Sequence, residues 1–383
     1  MDKMAFVKLL DKYIGIPICY LLWPLTKIMA RNKGKNILIV KMWGMGDAVI
    51  ILPVVNFLKK RMPDRKIIAL ATRETADVFK HEAIDEVVIF NDKVGPSLPL
   101  DSLKTIHELS KKNIGTILDF EQFTRISAIF SFLSGAAMRV GYKGLGKDRL
   151  YTHRVPFNSD VHASESFSDI TGILGVKEKI TELERLTISR EDRAIAAKFI
   201  RENNLGKKKV IGIHPGSGPT AISRRWDPDK FSRLADMLAK LGYSIVISGT
   251  KSESEVIGAV SNHMKERKVL ATSLTIKQFC ALIENFELFV SYDTGPMHLA
   301  AAMGTPTLGL MGVNTPTRYA PLGKKNRYIY KNFPCSPCVN VHRGIVPMVC
   351  PLYENAKCME AISVINAFTV AKEMLQNKPN SSN

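Results

Sequence analysis

Asn36-Ile37-Leu38-Ile39-Val40-Lys41 runs straight into Met42-Trp43-Gly44-Met45-Gly46-Asp47, and this junction sets the fold class. The four-residue apolar run Ile37 to Val40, followed by a glycine loop, has the length of a short strand buried on both faces. The stretch that follows, Asp47 to Arg61, is apolar with a basic end and reads as a helix. Further strands are expected at Lys66 to Ala71, Glu86 to Phe90 and Thr116 to Asp119, with helical stretches between them. Such alternation predicts a mostly parallel sheet covered on both sides.

The pattern restarts after a predicted helix at Arg190 to Asn203. Strands are expected at Lys209 to His214, Tyr243 to Ser248, Glu287 to Ser291 and Thr307 to Leu310. Helices are expected at Asp229 to Lys240, Ser252 to His263, Thr275 to Glu284 and Pro296 to Met303. The fold class is therefore α/β, with two Rossmann-like doubly wound halves facing a cleft, where such folds bind ligands. The expected division is an N-terminal segment at 1–35, a first half at 36–185, a second at 186–358, and a C-terminal helix and tail at 359–383. That helix, near Met359 to Gln376, is expected to fold back across the halves, and the tail around Asn377 to Ser381 to be disordered.

The 383 residues carry a net charge of +18, which calls for an anionic partner. The basic residues are scattered, at Lys143 to Arg149, Lys207 to Lys209, Arg224-Arg225 and Lys324 to Arg327. With no nucleic-acid-binding module in view, scatter speaks against a nucleic-acid groove and for phosphate contacts and an anionic membrane surface. Ile14 to Ala30 is mostly apolar, but Pro17, Pro24 and Lys27 break it and Arg31, Lys33 and Lys35 follow. A spanning helix needs about 20 apolar residues, so an interfacial helix is expected, with a helix packed on the protein's own surface as the alternative. Without an export signal the six cysteines are expected to be reduced. Cys335, Cys338, Cys350 and Cys358 have one metal-like spacing only, and are expected as structural thiols rather than a metal site.

Three loops carry the chemistry. In the first, Gly44 and Gly46 let the chain turn off its strand and come close to a ligand, and Asp47 stands at the helix start. Read alone, Asp47 also suits a helix N-cap. The third glycine of a dinucleotide fingerprint is missing, because Val49 stands there, and this excludes the oxidoreductase reading. In the second loop, His214-Pro215-Gly216-Ser217-Gly218 leads to Ser223-Arg224-Arg225-Trp226, exposing backbone N–H groups beside an arginine pair, as a diphosphate site needs. In the third, Asp293-Thr294-Gly295-Pro296-Met297-His298 opens a helix whose N-terminus attracts anions. Asp293 is expected to accept from sugar hydroxyls and His298 to reach a phosphate.

Together these loops resemble glycosyltransferase family 9, typified by bacterial lipopolysaccharide heptosyltransferases. The likeness lies in Ile37 to Pro53, in His214-Pro215-Gly216-Ser217 with Arg225-Trp226, and above all in Asp293 to Pro306. Arg139-Val140-Gly141-Tyr142 and Pro321-Leu322-Gly323 match as well, so the likeness extends from Asn36 to Ile362 and leaves Met1 to Lys35 as an extension. The resemblance implies the GT-B architecture, with the acceptor mainly on the first half and the donor on the second. It implies inverting, metal-independent transfer without a cofactor. By position it implies that Asp47 is the catalytic base, with Gly44 and Gly46 in the acceptor-side loop. Gly216, Ser217, Arg224, Asp293, Thr294, Gly295 and His298 would then serve the donor, and Glu253, a looser match, its nucleoside. The expected donor is a nucleotide-sugar such as ADP-heptose, and the acceptor a lipopolysaccharide core or similar lipid-linked saccharide. The expected place is the cytoplasmic face of the plasma membrane, held peripherally. The alternatives are a non-catalytic membrane-associated sugar-nucleotide-binding protein, or a transferase using another donor for a different surface glycan.

Overall fold

The computed structural model describes residues 11–27, 32–93, 95–218, 221–340, 345 and 347–376. The expected disordered tail lies outside the described residues, as do 1–10 and 28–31 of the N-terminal segment. The chain divides into two compact units, with the main boundary between Ile180 and Thr181.

The first unit is built on a parallel sheet of β1 (Asn36–Val40), β2 (Ile67–Ala71), β3 (Glu86–Ile89), β4 (Ile114–Asp119), β5 (Met138–Tyr142) and β6 (His153–Val155). Its order is β3-β2-β1-β4-β5-β6. The chain winds outward from β1 to β3, then returns to pair β4 beside β1, so the loops leaving β1 and β4 part to opposite sides. That divergence at the carboxyl ends is the topological switch point where doubly wound sheets bind ligands. β1 and β4 are buried almost throughout, as strands covered by helices on both faces must be.

The second unit repeats the scheme with β7 (Val210–His214), β8 (Ser244–Ser248), β9 (Lys268–Ala271), β10 (Phe286–Tyr292), β11 (Thr307–Met311) and β12 (Arg327–Tyr330). The order β12-β11-β10-β7-β8-β9 is the same winding, with its switch point between β7 and β10. β5, β6, β9 and β12 lie outside the expected strands: β6, β9 and β12 are short edge strands whose exposed positions blur the apolar run, and β5, next to an edge, is interrupted by Arg139.

The C-terminal helix Val364–Gln376 packs on the second unit: Val364, Ala367, Ala371 and Met374 enter its core, with Leu234, Leu238 and Ile362. Trp226 belongs to that core too. It is buried, packs edge-on against Phe231 at 5.3 Å, and donates from its indole N–H to Ile362 O at 3.0 Å.

The N-terminal helix Ile16–Leu22 packs on the first unit through Cys19, which is buried with Ala128, Phe132, Leu150 and Tyr151. Burial pushes the Cys19 thiol up to about 11, so it is an inert packing group. The Asp11–Arg125 ion pair at 2.7 Å ties the segment down. Its outer face leaves Tyr13, Ile14, Tyr20, Leu21, Trp23 and Leu25 exposed. Among the described residues no helix is long and apolar enough to cross a membrane.

Candidate functional site

At the first switch point the chain leaves β1 through Met42-Trp43-Gly44. Gly44 takes the left-handed conformation, φ 84°, at the N-cap of the helix Met45–Arg61. Only glycine does so without strain, and this turn starts the helix two residues before Asp47. Asp47 is thus not the cap; it sits in the first turn, beside Gly46, which is already helical. Its Oδ2 lies 3.2 Å from Lys41 Nζ and accepts from Gln122 Nε2 at 3.4 Å. Its side chain is 12% exposed, enough to meet a ligand. Gly44 before the helix and Gly46 in its first turn therefore flank Asp47.

The loop leaving β4 completes this end of the sheet. The buried Glu121 accepts from the backbone N–H groups of Met42 at 2.6 Å and Trp43 at 2.9 Å, and from Lys41 Nζ at 3.3 Å. Burial pushes the Glu121 carboxyl up, against the opposing pull of Lys41 and the Trp43 N–H. Asp119 holds the loop from beneath, accepting from Glu121 N and from the Tyr151 hydroxyl. The cluster pins the β1 loop, and with it Asp47, by bonds that cross from β1 to β4. Lys41, Glu121 and Gln122 were missed from sequence. Their signal was present: Asp119-Phe120-Glu121-Gln122 follows a strand, and in a doubly wound order that strand returns beside the first.

At the second switch point the structure brings together most of the expected donor residues. Arg224 Nη1 donates to Asp293 O at 2.6 Å and lies 3.7 Å from Asp293 Oδ2. Asn314 Nδ2 donates to the same oxygen at 2.8 Å, and His298 Nε2 stands 3.9 Å from Oδ1. Burial alone would raise the Asp293 carboxyl, but Arg224, His298 and Asn314 hold it below the usual carboxylate range. Asp293 is thus a buried anion that orients Arg224. His298 is buried too, and among the described residues its Nδ1 has no hydrogen-bond partner. Thr294 is the N-cap of the helix Gly295–Ala302, and its hydroxyl turns back to Ser291 Oγ and Tyr292 O rather than to the helix N–H groups. Asn314, on the loop after β11, was not legible in the sequence because its partner is 21 residues away.

The glycine loop after β7 is shaped by Glu253. Its Oε1 accepts from Gly218 N at 2.9 Å, and its Oε2 from the backbone N–H and hydroxyl of Thr250, both at 2.9 Å. A Cβ on Gly216 would stand 2.2 Å from Glu253 Oε1, so the loop can close on the carboxylate only with glycine there. Glu253 is thus engaged by its own chain as a loop clamp. His214, at the end of β7, lies 3.8 Å from the same Oε1; its burial holds it neutral at ordinary pH. Ser217 Oγ accepts from Arg225 Nε at 3.1 Å, so of the arginine pair Arg225 holds the loop and Arg224 faces Asp293. Among the described residues no group of three or more His, Cys, Asp or Glu side chains could hold a metal ion.

The two α/β units thus share one winding, and each places its polar loops at the switch point where doubly wound sheets bind ligands. The solved structure of a glycosyl transferase family 9 protein from Veillonella parvula DSM 2008 superposes with a TM-score of 0.76 at 20% identity, covering 91% of this chain and 99% of that one. Escherichia coli ADP-heptose lipopolysaccharide heptosyltransferase II superposes with a TM-score of 0.70 at 18% identity, covering 89% and 98%. The fold is the two-domain GT-B type of a glycosyltransferase. The model of "Glycosyltransferase family 9 (heptosyltransferase)" matches residues 103–345, and the chain belongs to that family. Lipooligosaccharide heptosyltransferase 2 of Campylobacter jejuni subsp. jejuni serotype O:2 is 23% identical over 342 residues, 87% of this chain and 96% of the relative. Lipopolysaccharide heptosyltransferase 3 of E. coli K12 is 25% identical over 283 residues, 70% and 79% respectively.

Proposed function

We propose that this glycosyltransferase moves a heptose, or a closely related sugar, from a nucleotide-sugar such as ADP-heptose to a lipopolysaccharide core or similar lipid-linked saccharide. The names of its relatives support the sugar and acceptor class, and one is solved with ADP. The observation that carries the mechanism is Asp47. It stands at the carboxyl end of β1, partly open, with Oδ2 taken by Lys41 and Gln122 and Oδ1 free of hydrogen bonds among the described residues.

In this reading Oδ1 takes the proton of the acceptor hydroxyl while that oxygen bonds to the anomeric carbon. The bond from the anomeric carbon to the diphosphate oxygen breaks on the opposite face, so the configuration inverts. The nucleoside diphosphate leaves with its electron pair, and Arg224 with the N–H groups of the Gly216 loop and the Thr294-Gly295 turn stabilises the charge it gains. Metal and cofactor are not required by this scheme, because the arginine and backbone dipoles do the neutralising. The exposed apolar face of the N-terminal segment would hold the enzyme peripherally on the cytoplasmic face of an anionic membrane, where its acceptor lies.

Single-turnover transfer and donor binding on Asp47→Asn test the scheme together. Transfer should fall about 10²–10⁴-fold, the usual share of a general base, with nucleoside diphosphate binding unchanged. Near-normal transfer would sink the mechanism. NMR of the product's anomeric configuration, and transfer in EDTA, test inversion and metal independence. A donor screen with ADP-, GDP- and UDP-sugars decides between this donor and another.

A further inference from the structure

The loop after β4 holds a second acceptor atom beside Asp47. Gln122 is fully buried, and its amide orientation is fixed chemically: Nε2 must face the Asp47 carboxylate, because Oε1 there would set oxygen against oxygen. The orientation leaves Oε1 without a hydrogen-bond partner among the described residues. An unpaired buried carbonyl oxygen is costly, so a hydroxyl donor brought by a ligand would gain by pairing with it. The first unit thus holds two oxygens without partners among the described residues, Asp47 Oδ1 and the buried Gln122 Oε1, on two side chains bonded to each other. Glu121 fixes both by tying the β1 and β4 loops together.

We propose that Gln122 is a specificity residue that reads the hydroxyl next to the one being glycosylated, so that this site takes a vicinal diol of the acceptor sugar. One hydroxyl gives its proton to Asp47 and its neighbour donates to Gln122 Oε1. A lone hydroxyl, or one flanked by a deoxy carbon, leaves Oε1 unpaired and is discriminated against. This inference rests on Asp47 as the base.

The test is a cycle of protein and acceptor. Wild type and Gln122→Met, which keeps the side-chain length, are assayed on O-deacylated lipopolysaccharide core and on a synthetic analogue lacking the hydroxyl adjacent to the attacking one. Wild type should lose about tenfold in kcat/KM on the deoxy acceptor, the size of one neutral hydrogen bond, mainly through KM. Gln122→Met should lose a similar factor on the natural acceptor and nothing further on the deoxy one. Equal losses by Gln122→Met on both acceptors would overturn the contact and make Gln122 only a support for Asp47. Gln122→Glu, which restores an acceptor and adds charge beside Asp47, guards against misfolding: a folded Gln122→Glu that prefers the diol supports the contact, and one indifferent to it opposes the contact. Asp47→Asn on the same two acceptors separates the readings. If it transfers normally the base assignment fails, whereas diol preference lost in Gln122→Met with Asp47→Asn inactive upholds both.

Discussion

Lys41 Nζ stands 3.2 Å from Asp47 Oδ2, so the last residue before the β1 loop neutralises the carboxylate that the loop delivers. The same ammonium lies 3.3 Å from Glu121, and both Lys41 and Glu121 are buried. Two carboxylates share one buried cation.

Removing that cation should be expensive. Lys41→Met takes from Glu121 and Asp47 the ammonium they share and leaves Glu121 only the weaker pull of Lys147, and breaking such a buried pair costs about 3 kcal/mol or more. Lys41→Met with Glu121→Gln should recover part of the loss, because the orphaned charge leaves with its partner. Urea unfolding of both variants measures this; a double variant no more stable than the single would show that the charges do not communicate.

Gly216→Ala should weaken nucleoside diphosphate binding by about tenfold or more, with the fold intact. The added Cβ would meet Glu253 Oε1 at 2.2 Å, and three hydrogen bonds from Gly218 and Thr250 prevent the carboxylate from yielding easily. Displacing the loop costs a buried hydrogen bond, about 1–3 kcal/mol. Calorimetry with ADP reads the change, and unaltered affinity would mean that the loop makes no donor contact.

His214 gives stability a pH dependence. Burial holds it below its ordinary value of 6.5, so the unfolded chain binds more protons than the native one in the window just below that pH. Its contribution to stability should therefore rise with pH up to about 6.5 and level off above. Glu253 and Asp293, both held low, add losses only at more acidic pH. Glu121, pushed up by burial, acts in the opposite sense above its ordinary value of 4.5, so the difference is the test: urea midpoints from pH 5 to 8 should rise more steeply in wild type than in His214→Gln.

The N-terminal face offers a variant that spares the fold. Leu21 is 74% exposed and Tyr13 64%, while the packing of the segment runs through the buried Cys19. Tyr13→Glu with Leu21→Glu should reduce sedimentation with anionic vesicles several-fold at unchanged thermal stability. Full binding by this variant would assign membrane attraction to the basic surface elsewhere. Arg149, 4.7 Å above the Tyr20 ring and 4.5 Å from the Trp23 ring, sets a cation at the edge of the same face.

The sequence by itself determined the two wound units, the three glycine-bearing loops and the family. Buried parallel strands read as continuous apolar runs, and the turns that approach a ligand need glycine at fixed offsets, so both are local signals. Asp47, Arg224, Asp293 and His298 were legible because each sits on such a loop. What only the tertiary structure decided is how those residues are employed. Gly44 takes the cap position and leaves Asp47 to Lys41 and Gln122. Asn314 joins Asp293, Glu253 is spent on its own loop, and Trp226 and the C-terminal helix are core. The reason is physical: pairing β4 beside β1, and β10 beside β7, joins residues about 70 to 80 positions apart, and no local periodicity records which side chains then meet.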